Sequence, residues 1–355
     1  MKTVFRDTNH HNSFVENGYV KLSILDKDEI HKIRNFYSNL TENLSIKNSV
    51  YGIYVSLDDK NLKLKTDTMH FIQSLVKPKL DKYLKDYKVH LGGFIIKQSD
   101  DYSYTYPHQD WIFSPHNETD SFSATIWISM DDLTPNSGSL GFIPGSHQIF
   151  DGIIGSPSSY FINATQGHED LLFNYLTFPE INAGDAFVFN NKCVHGANPN
   201  ILGGDRIIVG IGITPIDSKL THYFLKPGTK NKVLQLEVPE NFFLTHMNDD
   251  LIEEYEQGKI PNNCQVISEF EYENVRFTQN EITELLDKNG VSKGKYQIKR
   301  PIQPEQENLN YEEIKVKKEK KNYYKEYSKK LIQFSKIYTP YNIYKESKYR
   351  LTGKY

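Results

Sequence analysis

The stretch Tyr106-Pro107-His108-Gln109-Asp110 decides how this chain is read, because it sets an imidazole and a carboxylate two residues apart. In a strand, residues i and i+2 project from one face, so His108 and Asp110 on a strand could hold one metal ion between them. A His-x-Asp pair alone is weak evidence. A candidate third ligand stands far downstream at His195, and the three would form a two-histidine, one-carboxylate facial triad that leaves half of an iron's coordination sphere open.

Outward from this stretch the pattern is one of short strands. Val89 to Ile96, Thr125 to Asp131, Leu140 to Ile143, Ala186 to Asn190 and Arg206 to Thr214 are apolar runs of strand length, the last with Ile207, Val209, Ile211 and Ile213 on one face. Turn chemistry separates them at Pro135 to Gly138 and Pro144 to His147. Many short strands with Gly/Pro turns predict a β-sandwich or jelly roll. Ahead of them, Phe14 to Leu25 alternates around Gly18 like a short strand. A helix capped by Asp26 or Asp28 follows, with Ile30, Ile33, Phe36 and Tyr37 on one face before Leu40 and Leu44. Leu64 to Tyr87 reads as a second helix, interrupted by Pro78. The class is mainly β with flanking helices (α+β).

Composition narrows the remaining choices. The 355 residues allow one large domain with appendages, and 24 Tyr with 20 Phe predict an aromatic-rich core or pocket. A net charge of -3 gives no general affinity for nucleic acid. Two cysteines, Cys193 and Cys264, make no disulfide framework, and the polar start and lack of any bilayer-length apolar run fit a cytoplasmic chain. Residues 150–178 carry little periodicity and suit a lid or substrate-recognition insert, while the region after Pro215 says little. From Tyr311 to Ile337 a Lys-rich helical pattern sets Tyr324, Tyr327, Leu331 and Phe334 on one stripe. Docking on the main domain is its ordinary explanation, and contact with a membrane surface or partner the lesser one.

Four features occur in order: His108-Gln109-Asp110, the turn-rich run from Asn136 to His147, the span from Gly184-Asp185 to His195-Gly196, and Arg206. In this order they resemble the phytanoyl-CoA dioxygenase family of Fe(II)- and 2-oxoglutarate-dependent oxygenases, over roughly Gly18 to Thr214. The resemblance implies a double-stranded β-helix (jelly roll, cupin-like) core at about 88–215 within a domain of residues 1–300, with inserts at 148–180 and 216–300. Residues 301–355 would then be a basic, Tyr/Lys-rich helical extension. It implies that His108, Asp110 and His195 bind iron, that Arg206 pairs with the far carboxylate of 2-oxoglutarate, and that O2 is consumed as an unactivated C–H bond is hydroxylated with release of succinate and CO2. The substrate would be a small or biosynthetic molecule, CoA-, sugar- or carrier-linked among the options.

Thr125, Trp127 and Lys97 lie where family members line the cosubstrate pocket. Each has a plainer reading, Trp127 as core and Lys97 as a solvated strand end. Ala197 departs from the family, which often has a serine two residues past the distal histidine. A carboxylate at Asp110, where related halogenases carry Gly or Ala, points to hydroxylation. His147 reads as structural rather than as a fourth ligand, and Cys193 as a small buried residue. His116, His168, His222 and His246 have no partner at ligand spacing, and Asn117-Glu118-Thr119 has the glycosylation spacing in the wrong compartment. Two competing functions use the same features: a non-oxidative metal cupin, which would not need Arg206, and a catalytically silent binding protein.

Overall fold

Side chains that alternate along strands sort this molecule into layers. The structure is a computed structural model that describes residues 2–40, 52–110, 121–273 and 276–298. In chain order its elements are α1 (Thr8–Asn17), β1 (Tyr19–Ser23), α2 (Lys27–Leu40), β2 (Ile53–Val55), α3 (Leu62–Leu80), β3 (Tyr87–Lys97), β4 (Thr105–His108), β5 (Ala124–Ser129), β6 (Leu140–Phe142), α4 (Ser146–Ile149) and α5 (Glu169–Phe173). They continue with β7 (Asp185–Asn190), β8 (His195–Ala197), β9 (Arg206–Pro215), β10 (Thr221–Leu225), β11 (Lys232–Glu237), α6 (Phe242–Thr245), α7 (Asn248–Glu256), β12 (Gln265–Glu271) and α8 (Gln279–Lys288). The fold is mixed α/β with three antiparallel sheets, of orders β1-β7-β5-β9-β3-β2, β4-β8-β6 and β10-β11-β12.

The six-stranded sheet has two different faces. Ile126 and Ile128 of β5, Val188 of β7, Phe94 and Ile96 of β3 and the row Ile207, Val209, Ile211, Ile213 of β9 pack under the helices, against Phe14, Ile33, Ile72 and Val76. The alternate residues Ile95, Trp127, Phe187, Phe189 and Ile208 face the other way and meet Leu140, Phe142, Cys193 and Ala197 from the β4-β8-β6 side. Each buried aliphatic of the β9 row contributes roughly 1.5–3 kcal/mol, so a slip of one residue is strongly disfavoured. That register also fixes Arg206, which pairs across the sheet with Lys97.

The helical layer follows from local chemistry. Asp26 accepts from the N–H groups of Asp28 and Glu29, and Glu29 returns a bond to the Asp26 N–H, so α2 opens on a reciprocal cap of about 1 kcal/mol. The alternation from Phe14 is a strand only from Tyr19. Asp7 caps α1 through the Asn9 and His10 N–H groups, and Gly18 ends it in the left-handed conformation at φ 82°. A Cβ at Gly18 would also stand 2.6 Å from His147 Nδ1. Pro78 sits in the last turn of α3 without ending it, but the helix stops at Leu80, so Tyr83 lies in a turn, Leu84 bridges to Phe5 and Tyr87 opens β3.

The segment 150–178, weakly patterned in sequence, is well packed: Phe150, Leu172, Phe173, Tyr175 and Leu176 share a core with Ile282 and Leu286 of α8. After Pro215 the chain builds the β10-β11-β12 sheet, whose Phe224, Leu234 and Leu236 bury against Phe242, Phe243 and Leu251. Leu44, His116, the Asn117 to Thr119 triplet and the Tyr311 to Ile337 helix lie outside the described residues. Among the described residues no helix is long and apolar enough to cross a membrane.

Candidate active site

His108 and His195 meet because β4 and β8 pair with the two residues directly opposite each other. Their rings stand 4.3 Å apart between centroids. A Cβ on the intervening Gly196 would come within 2.8 Å of the Thr105 carbonyl oxygen, so a glycine here lets the β4 backbone approach. Asp110 is not on the strand, as the i, i+2 reading had it. β4 ends at His108, and Asp110 is held in the following loop by its N–H bond to the Asn191 carbonyl at 2.8 Å. The convergence survives: Asp110 Oδ1 lies 3.5 Å from His108 Nε2 and 3.6 Å from His195 Nε2. Among the described residues this is the one group of His, Cys, Asp or Glu whose donor atoms gather as metal ligands do, all within 4.8 Å of one another.

Both imidazoles are oriented by backbone carbonyls. His108 Nδ1 lies 2.7 Å from the Tyr106 oxygen and His195 Nδ1 lies 2.9 Å from the Cys193 oxygen, which places the ring proton on Nδ1 and leaves Nε2 as the free donor. Burial opposes charge on His108, but the Asp110 hydrogen bond and charge outweigh it and hold this imidazole above its ordinary value. Burial likewise pushes Asp110 up, and His195, His108 and Thr125 together bring it below the usual carboxylate range. His195 goes the other way. Burial and then His108 push it down to about 4 against the pull of Asp110. An ionised carboxylate beside a neutral imidazole is a donor set that suits Fe(II).

Gln109, which no motif singled out, and Thr125, a candidate from the sequence, brace this group. Gln109, buried between two ligands, donates from Nε2 to the carbonyls of Phe150 and Lys192, both at 2.7 Å, and so ties the His108–Asp110 loop to the turn ahead of His195. Its only signal was its place between two ligands. Thr125 Oγ1 lies 3.0 Å from Asp110 Oδ2 and 2.9 Å from Asn191 Oδ1.

A second cluster lies on the same interior. Lys97 is not a solvated strand end: it is fully buried, with Nζ 3.2 Å from Thr105 Oγ1 and 2.9 Å from the Asn198 carbonyl. It thereby touches β4 and the end of β8, the strands that carry His108 and His195. Arg206, 4% exposed, donates to the Gly138 carbonyl, and its guanidinium sits 5.3 Å from the Trp127 ring. Trp127 therefore belongs to the interior core and to the arginine's surroundings together. Among the described residues neither cation forms an ion pair, and Arg206 Nε has no hydrogen-bond partner. Burial, and next the charge of Arg206, push Lys97 well below its ordinary value, and burial pushes Arg206 down to about 9 against the pull of Asp131. A buried guanidinium with an orphaned N–H beside a buried lysine fits a carboxylate, whose charge would favour the protonated form of both.

The remaining candidates fall into structural places. His147 Nε2 lies 3.0 Å from the Val15 carbonyl. The Cys193 thiol packs beside Ser146 and the Ile143 carbonyl, so only its own carbonyl serves the site. His222 Nε2 lies 2.6 Å from Ser156 Oγ, His246 faces Glu254 at 3.6 Å, and His168 precedes α5. Ala197 is buried opposite Thr105 and Leu140.

Two histidines on paired antiparallel strands and one carboxylate in the loop after β4 make the donor set of a non-haem iron oxygenase. The model of the phytanoyl-CoA dioxygenase (PhyH) family matches residues 14–208, more than half of the chain. The chain belongs to that family, and it is an Fe(II)- and 2-oxoglutarate-dependent oxygenase. No curated protein sequence matches it. Similar solved structures include the non-haem alpha-ketoglutarate-dependent carbocyclase SnoK from nogalamycin biosynthesis, 19% identical over 60% of this chain and 86% of that one, with a TM-score of 0.43. The epimerase SnoN, solved with Fe3+, alpha-ketoglutarate and nogalamycin RO, is 16% identical over 76% and 97%, with a TM-score of 0.46. HygX from Streptomyces hygroscopicus, solved with nickel and 2-oxoglutarate, is 14% identical over 59% and 88%, with a TM-score of 0.42. The family assignment rests on the sequence match and the triad, not on these likenesses.

Proposed function

We propose that the enzyme hydroxylates an aliphatic C–H bond of a biosynthetic small molecule, with His108 Nε2, Asp110 Oδ1 and His195 Nε2 holding Fe(II) and with Arg206 and Lys97 receiving the far carboxylate of 2-oxoglutarate. The observation that carries this reading is the pair of buried basic side chains, Lys97 and Arg206, that lie beside the triad with no carboxylate partner among the described residues. β5 connects the two: Thr125 touches Asp110, Trp127 touches Arg206, and two residues along a strand span about 7 Å, close to the reach of a five-carbon dicarboxylate.

Bound iron and 2-oxoglutarate would supply dioxygen activation, with 2-oxoglutarate and O2 converted to succinate, CO2 and one oxygen atom placed in the substrate. The chain's own work is placement. The Nδ1 bonds leave both Nε2 lone pairs free to hold the metal. Trp127, Phe187 and Phe189 surround the site with apolar area that excludes water. Asp110 fills the position that a halogenase leaves for chloride, which favours hydroxylation. The triad is reached from one side, His108 and Asp110 being 35% and 23% exposed in their side chains and His195 only 6%.

In this reading the β1-β7-β5-β9-β3-β2 and β4-β8-β6 sheets are the two halves of a double-stranded β-helix within a 1–300 domain, and 301–355 form a basic extension. A CoA, sugar or carrier handle on the substrate stays an open choice of this proposal, as does a cytoplasmic setting. The test is incubation with metabolite pools, Fe(II), 2-oxoglutarate and isotopically labelled dioxygen. Succinate release coupled to one labelled oxygen in a product supports hydroxylation. Coupled turnover that leaves no labelled oxygen in the product contradicts it.

A further inference from the structure

Asp110 uses its two oxygens differently. Oδ1 faces both imidazoles, at 3.5 and 3.6 Å, whereas Oδ2 lies 3.0 Å from Thr125 Oγ1. Resting on the iron reading above, we propose that Thr125 is a positioning residue whose hydroxyl holds Asp110 to a single metal-facing oxygen.

The geometry around Thr125 is rigid. Its hydroxyl has one hydrogen and two acceptors in reach, Asp110 Oδ2 and Asn191 Oδ1, and the ionised carboxylate is the stronger acceptor. A β-branched side chain in a strand holds its χ1, so the hydroxyl cannot swing away freely. Asn191 closes the frame. Its carbonyl accepts the Asp110 N–H at 2.8 Å, its own N–H donates to the Ser123 carbonyl at 3.0 Å, and its Nδ2 lies 2.8 Å from Ser123 Oγ. Loop and strand are thereby locked together on both sides of the carboxylate.

The consequence concerns how many places remain on the metal. A carboxylate that binds through both oxygens fills one more position, and that position is needed by the 2-oxo acid or by dioxygen. With Oδ2 engaged by Thr125, Asp110 supplies one ligand atom and the open half of the site stays open. Thr125 thus acts through Asp110 and needs no direct contact with 2-oxoglutarate.

The test is an anaerobic titration of the Fe(II)-loaded full chain with 2-oxoglutarate, read by its visible charge-transfer band, alongside Fe(II) binding without 2-oxoglutarate and thermal unfolding. Thr125→Val keeps the shape and removes the donor. It is expected to retain Fe(II) while needing about tenfold more 2-oxoglutarate for half-saturation, the loss of one hydrogen bond to a charged group. Thr125→Ser is expected to match the wild type, and Thr125→Cys, a weak donor, to fall between. Half-saturation at the wild-type concentration in T125V, or equal weakening in T125S and T125V, overturns the proposal, the latter because T125S keeps the hydroxyl. No band in the wild type overturns the iron and 2-oxoglutarate reading itself and this inference with it.

Discussion

Two clusters on one interior solve opposite electrostatic problems. At the triad, Asp110 sits against His108 and His195, so the polar groups partly satisfy one another and stay partly exposed. At the other end, Lys97 and Arg206 are both buried basic side chains, and among the described residues no carboxylate pairs with either. The first cluster is preorganised for a cation and stable without it. In the proposed reading the second awaits an anion, and a dicarboxylate that spans both would satisfy the second while completing the first.

Substitutions can break this contrast, and the largest effect is at the metal. Asp110→Gly removes the carboxylate that faces both imidazoles, and iron retention and turnover are both expected to be lost, as seen in metal content and succinate release. Full activity in D110G would place the metal elsewhere. Arg206→Leu acts on the other cluster. It should raise the 2-oxoglutarate concentration for half-saturation on the order of a hundredfold. The unliganded protein should keep its thermal midpoint or gain a few degrees, because a buried unpaired cation gives way to an apolar side chain. A drop in midpoint would show that Arg206 is already compensated.

Gln109→Ala sharpens the contrast from inside the triad loop. Two buried carbonyls lose their donor, so urea unfolding should show a loss of about 1–3 kcal/mol. Iron affinity should fall by about tenfold as the loop loosens. Unchanged iron affinity would reduce Gln109 to a structural role. The smallest effect belongs to Cys193, whose thiol burial pushes up to about 12. Iodoacetamide near neutral pH should leave it unmodified in the folded chain, and rapid labelling would show that this part of the interior opens to solvent.

The strands of the six-stranded sheet were legible because their chemistry is period two, as in the isoleucine-valine row of β9. The triad was legible because metal ligands must be particular residue types in a particular order. What escaped depended on tertiary context. Phe14 to Asn17 read as strand because a cap and a left-handed glycine, not periodicity, make it the end of α1. Lys97 read as solvated because nothing in a sequence shows that Thr105 of β4 and Asn198 after β8 come to cover it. Gln109 and Asn191 act through backbone carbonyls brought from distant segments, and such partners leave no local mark. Residues 150–178 pack through aromatic and leucine side chains at irregular intervals, which no period detects.

The central claim is that the triad and the cation pair form one iron and 2-oxoglutarate site, and anaerobic addition of both to the purified chain tests it most directly. The account predicts a weak visible charge-transfer band in the wild type that is absent in His108→Ala and needs far more 2-oxoglutarate in Arg206→Leu. No band in the wild type, or the same band in His108→Ala, would contradict it.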